Sequence, residues 1–328
     1  MRNHESIARL FAAVCLFAAA VPAGLAQAPY PAQQIKIICA FPAGGGTDLT
    51  ARLLGEQLQK VLGQPVIVEN RTGASGMVGT EAAAKSKPDG YTLLVASGEM
   101  ALNPHLYPKI AYNWDKNLQP ITRLVSVPNV MAVNMDVPAT NVGEFIAYAR
   151  QNPEKLTFSS SGVGNPQQLT GELFNKMAGV QVRHVPYKGA APQLAALAGK
   201  EVHMTFVSIG AAKPFIEGQR IRPIGVTSLK RVSALPAVPA IAEHPPLAGF
   251  ELVNFFGFYA PAGMPEPILK RLNAAAVQVM QMPDLVAKFR GLGFEPSTTT
   301  PDQFRQFISG ESAKFATIIA DAGLKLSE

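Results

Sequence analysis

Two short segments hold most of the groups that can do chemistry. The first is Phe41-Pro-Ala-Gly-Gly-Gly-Thr-Asp48 and the second is Ser159-Ser-Ser-Gly-Val-Gly-Asn165. Both are rich in glycine, hydroxyls and amides, and neither carries Lys or Arg. After the first, apolar residues at 49, 53, 54, 58, 61 and 62 recur at helical spacing. After the second, Pro166 opens another helix. A helix start leaves backbone N–H groups unpaired and a partial positive charge facing the preceding loop. Glycines let a ligand come against that backbone. The chemistry on offer is the seating of an anion, a carboxylate or a phosphate.

The elements around these segments must place them together. Strands are expected over 35–39, 65–69, 91–96, 130–134, 182–187, 202–207, 221–227 and 255–259. Another precedes the Ser159 loop. Helices are expected after Asp48, over 77–85, from the Asn141/Glu144 capping pair to Gln151, and over 266–281, 283–290 and 301–323. Thr47 or Asp48 is the natural N-cap of the first. Strands alternating with helices imply a parallel, doubly wound sheet, with ligands beyond the carboxyl ends of its strands. The 42–48 loop and Ser97-Gly98 occupy that position, as does Ser208 after a later strand. The second strand–loop–helix unit echoes the first, which implies two similar lobes facing one cleft.

Several residues keep two readings. Asp48 either caps its helix or meets a ligand amine. Arg71 forms a surface ion pair or steers anions. Tyr187-Lys-Gly189 packs on its lobe or closes over the cleft. Residues 255–259 are a core strand, with Phe258 or Tyr259 as alternative pocket walls. Cys39 reads as a small core residue.

Composition narrows the function. Of the 328 residues, 48% are hydrophobic and 16% charged, which suits a large packed core. Arg2, Arg9 and the apolar run from Leu10 to Val21 read as an export signal, too short to anchor in a bilayer. Cleavage is expected after Ala26. It would remove two Arg and one Glu, taking the formal charge from +6 to +5. Basic residues are dispersed, so nucleic acid is not an expected partner, and no later segment reads as a membrane span. Dinucleotide fingerprints fail at Leu49 and Gln167, no Gly-Lys-Ser/Thr loop occurs, and Gly-x-Ser-x-Gly is absent. His4, His105, His184, His203 and His244 lack ligand spacing, and one mature cysteine cannot build a thiolate metal site. No catalytic set, metal or cofactor is expected.

Five segments then occur in series: Phe-Pro-Ala-Gly-Gly-Gly-Thr-Asp48, Val-Glu-Asn-Arg71 with Gly-Ala-Ser-Gly76, Pro-Asp-Gly-Tyr-Thr-Leu-Leu94, His-Val-Pro-Tyr-Lys-Gly189 and Phe-Tyr-Ala-Pro-Ala-Gly263. Together they resemble the substrate-binding proteins of tripartite tricarboxylate transporters, the Bug or TctC-like family. The resemblance covers nearly all of the mature chain. It implies a two-lobe "Venus flytrap" periplasmic-binding fold: lobe 1 over 27–128 and 251–328, lobe 2 over 129–250. It implies a small carboxylate held by amides, hydroxyls and waters, and delivery to membrane permease subunits or, alternatively, to a two-component sensor. An exported α/β enzyme acting on a carboxylated metabolite is the competing expectation. The family's seats fall on Phe41, Pro42, Ala43, Gly44, Gly46, Thr47 and Asp48, with Ser97 and Gly98. The second set is Ser159, Ser160, Ser161, Gly162, Gly164 and Asn165, with Ser208. The chain departs from the family pattern at Asn165, Gln168 and His203, where a Ser or Thr, a His and an acidic residue are common.

Overall fold

The computed structural model describes residues 30–324; the expected signal and its cleavage point lie outside them. The strands are β1 Ile35–Cys39, β2 Val66–Asn70, β3 Thr92–Ser97, β4 Leu118–Val127, β5 Asn129–Asn134, β6 Thr157–Ser160, β7 Arg183–Pro186, β8 Met204–Ser208, β9 Ile221–Val226, β10 Asn254–Pro261 and β11 Glu295–Pro296. The α-helices are α1 Gly46–Leu62, α2 Met77–Ala84, α3 Glu99–Leu106, α4 Trp114–Asn117, α5 Val142–Gln151, α6 Pro166–Ala178, α7 Ala190–Ala198, α8 Ile209–Glu217, α9 Glu266–Met280, α10 Pro283–Gly291 and α11 Pro301–Asp321.

The strands form two sheets, ordered β11-β4-β10-β3-β1-β2 and β7-β6-β8-β5-β9. Alternation along β1 and β3 sorts the first sheet's core. Ile37, Cys39, Leu93 and Val95 face α1 and α9, whereas Ile38, Ala40, Leu94 and Ala96 face α2, α3 and α11. In the second sheet Met131, Phe158 and Phe206 face α5 and α6; Val130, Ala132 and Val207 face α7 and α8. Helices thus cover both faces of each sheet, as a doubly wound fold requires.

The sheets are mixed and not purely parallel. β1, β2 and β3 pair in parallel, as do β6, β7 and β8. β10 runs antiparallel between β3 and β4, and β5 antiparallel between β8 and β9. The cause is connectivity. β4 passes into β5 through Pro128 alone, and β10 returns from the second sheet, so these strands do not enter through a βαβ crossover. The two connections run side by side. Asn129 N donates to Thr227 Oγ1 at 2.9 Å, and Thr227 N donates to Asn129 O at 3.0 Å. A separate apolar cluster, with Leu102 of α3, Leu169 of α6 and Phe315 of α11, packs helices of the two sheets against one another.

Candidate functional site

The first loop is built by Asp48. Its carboxylate accepts from Gly44 N at 2.9 Å, from Arg52 Nε at 3.0 Å and from Asn70 Nδ2 at 2.7 Å. Asn70 also donates to Phe41 O. The expected capping by Thr47 or Asp48 is corrected here: Gly45 is the N-cap and Asp48 reaches back from the first turn. It does so because Arg52, one turn on, and Asn70, at the end of β2, hold the carboxylate on that side. Burial alone would raise the Asp48 pKa, but the bonds from Arg52, Gly44 and Asn70 outweigh it and hold it below the usual carboxylate range. With its oxygens so used, Asp48 frames the loop, and the amides of Gly46 and Thr47 have no acceptor among the described residues.

The second loop is held by neutral groups. Asn165 caps α6, accepting from Gln168 N at 2.9 Å, and its Nδ2 donates to Ser161 Oγ. Gln168 Oε1 accepts from Gly164 N, and Gln167 Oε1 from Ser161 N. Ser160 Oγ donates to Gly162 O at 2.7 Å and lies 2.6 Å from His184 Nε2. Burial lowers the His184 pKa to about 4, so the ring is neutral at pH 7. Ser160 is fully buried beneath the loop with its proton donated to Gly162 O, and His184 is half-buried beside it, so the pair braces the loop. Tyr187 N and Gly189 N donate to Ser160 O and Ser161 O, so that segment packs along the loop.

Between the two loops lies a cavity of about 200 Å³. Four helix starts line it. They are Gly46 of α1, Glu99 of α3, Asn165 to Gln167 at α6, and Ser208, the N-cap of α8. Val127 and Asn129 close it at the crossover, and Asn254, Phe256 and Phe294 supply the remaining wall. No Lys or Arg lines it. Asn254 Oδ1 accepts from Gly98 N and Phe255 N, leaving its Nδ2 donor without a partner among the described residues. Converging helix starts and neutral donors can hold an anion without a salt bridge. A larger groove of about 740 Å³ lies between Leu173 on α6 and Ile318 on α11. No helix start lines it, and its charges are mixed: Lys176, which pairs with Asp321, and Arg183 stand beside Glu154 and Glu172.

Of the sequence-derived residues, Gly46, Ser161, Asn165 and Ser208 line the cavity together. Phe41, Pro42, Ala43, Gly44, Thr47 and Asp48 shape the first loop around them. Ser97 and Gly98 set the start of α3. Ser159, Ser160, Gly162 and Gly164 sit behind Ser161, with Ser159 Oγ donating to Thr205 Oγ1. Phe258 and Tyr259 are fully buried core, and it is Phe256 that walls the cavity. Arg71 pairs with Glu69 at the surface, and Cys39 is buried. Glu99, Gln167, Asn254 and Phe294 were not anticipated. The signal for Glu99 was its place directly after Ser97-Gly98.

Residues 50–324 match the model of the tripartite tricarboxylate transporter family receptor. The chain belongs to this receptor family. It is 34% identical to protein BugT of Bordetella pertussis over 98% of this chain and 99% of that protein. It also resembles an R. palustris protein solved with adipate: 34% identity, TM-score 0.78, covering 90% of this chain and all of that one. MatC from Rhodopseudomonas palustris with bound malate is similar at 28% identity and TM-score 0.72, over 88% of this chain and 100% of that chain. Among the described residues of the receptor, no helix is long and apolar enough to cross a membrane, and no cluster of His, Cys, Asp and Glu is suited to a metal ion.

Proposed function

We propose that this receptor binds a small organic dicarboxylate between two lobes and presents it to the permease subunits of a tripartite transporter, with no chemical step. The lobes are 27–128 with 251–328, and 129–250, hinged where the two crossovers run together. After export, cleavage following Ala26 leaves the chain in the periplasm. One observation carries the reading: residues from four helix starts line a single cavity that no cationic side chain lines. A volume of about 200 Å³ suits a small metabolite, below the range typical of drug-sized ligands. Relatives solved with adipate and malate agree with it. Ser161, Asn165, Gln167, Ser208 and the Gly46 amide are the proposed ligand-holding set, with Ser97 behind them as a support of α3. Closure would expel water and strengthen each amide-to-carboxylate bond.

The test is thermal melting of ligand-stripped protein with adipate, malate, succinate and the matching diamides. An acid at 100 times its Kd stabilises the fold by about 2.7 kcal/mol, a shift of a few degrees. The expected result is a shift with at least one diacid and none with its diamide. Equal shifts with both, or turnover of the acid, would reject the reading.

A further inference from the structure

Glu99 is the one acidic side chain on the cavity wall, and it stands among helix starts suited to an anion. Ser97 Oγ donates to its Oε2 at 2.7 Å, and Glu99 N lies 3.3 Å from Ser97 Oγ. That reciprocal pair fixes the rotamer and leaves Oε1 without a hydrogen-bond partner among the described residues. A ligand carboxylate entering here meets a second carboxyl group, and two carboxylates at one site cannot both stay ionised cheaply. Sharing one proton removes the repulsion and creates a strong charge-assisted bond. We propose that Glu99 is the specificity-determining residue of this receptor, its Oε1 acting as a carboxylic-acid donor to one carboxylate of the ligand, so that a proton is bound with the ligand. The proposal deepens the carboxylate-receptor reading and rests on it.

The surroundings favour the protonated form. Burial raises the Glu99 pKa, and no cation pairs with it. The ionisable side chain that feels its charge is Tyr112, a neutral phenol pushed up to about 12, chiefly by burial. Charged groups on neighbouring elements are engaged elsewhere. Asp48 pairs with Arg52 on α1, Glu81 with Lys85 on α2, and Glu311 with Lys314 on α11. Arg123 of β4 lies over the Phe307 ring, and His105 on α3 bonds Ser312. Glu172 of α6 faces the outer groove, and Arg290 pairs with Glu295 beyond α10. The consequence is discrimination by protonation: a diacid is held where a proton is available, and an ionised Glu99 repels it.

The experiment titrates the full exported chain with adipate and malate by calorimetry from pH 6 to 9, in two buffers of different ionisation heat. Wild type and the Glu99→Gln and Glu99→Leu variants are compared after their melting curves establish folding. On the alkaline side, where free Glu99 is ionised, wild type should take up a proton with ligand and lose affinity, approaching about tenfold per pH unit. Glu99→Gln keeps a donor that cannot titrate, so its affinity should stay within about threefold of the wild-type plateau across the range, while Glu99→Leu loses about tenfold or more. Wild-type binding without proton uptake at the alkaline end, where free Glu99 is ionised, or weaker binding by Glu99→Gln than by Glu99→Leu, would overturn the proposal and leave the receptor reading standing. Absence of wild-type binding to either diacid, and to succinate, would overturn both.

Discussion

The two loops that face each other across the cavity solve the same problem with different chemistry. The first is tied by a charged centre, Asp48 with Arg52 and Asn70, and gives the cavity a backbone surface at Gly46. The second is tied by amides, hydroxyls and the neutral ring of His184, and gives the cavity side chains: Ser161, Asn165 and Gln167. The first loop therefore presents backbone amides to the cavity in a fixed place, and the second presents hydrogen-bonding side chains. A charged frame costs nothing in the cavity when its charges are satisfied behind the loop. Placed on the cavity side, the same Asp48 would repel the anion that the helix starts attract.

The contrast separates most clearly under acid. His184 is held neutral with its pKa lowered to about 4, against about 6.5 in an unfolded chain. Between those values the unfolded state binds the extra proton, so stability falls as pH drops through that window, by about 3 kcal/mol at most. Asp48 acts in a lower window. Its folded pKa is depressed, so its contribution is full above the unfolded value near 3.9 and is lost only as pH falls through the folded one. Melting temperature against pH should therefore show a first decline below about pH 6.5 that is reduced in His184→Gln, and a later one reduced in Asp48→Asn.

Substitution at neutral pH gives smaller effects. Asp48→Ala leaves Arg52, Asn70 and the Gly44 amide without their acceptor and should cost about 2 kcal/mol of stability in denaturant unfolding. Arg52 is half exposed, which keeps the loss below that of a fully buried pair. Asn165→Ala removes the α6 cap and one cavity donor; the expected loss is about 1 kcal/mol. Asn165→Asp keeps the cap, so it should recover the stability, yet it places a carboxylate on the cavity and should bind a diacid worse than Asn165→Ala. Equal binding by the two variants would remove Asn165 from the seat.

How far the sequence reveals this site depends on how local the determinants are. The paired glycine-rich loops, their helices and the buried strands are legible because periodicity and turn residues sit within a few positions of one another. β4 is not, because Pro120, Thr122 and Arg123 interrupt its apolar pattern; Thr122 bonds Thr299 O and Arg123 lies over Phe307, both distant in the chain. α3 is short and contains Pro104, so its start, and with it Glu99, does not stand out. Phe256 and Phe294 become cavity walls only when β10 returns to the first sheet and the chain turns after α10. The reach of Asp48 to Asn70 likewise depends on the pairing of β1 with β2.

A crystal structure of the exported chain with a bound diacid would decide whether the cavity between the loops seats a carboxylate. The expected result is carboxylate oxygens at hydrogen-bond distance from the Gly46 amide, from Ser161 or Gln167, and from Glu99 Oε1, with no Lys or Arg in contact. A diacid seated in the groove beside Leu173 and Ile318, or held in the cavity by a salt bridge, would contradict it.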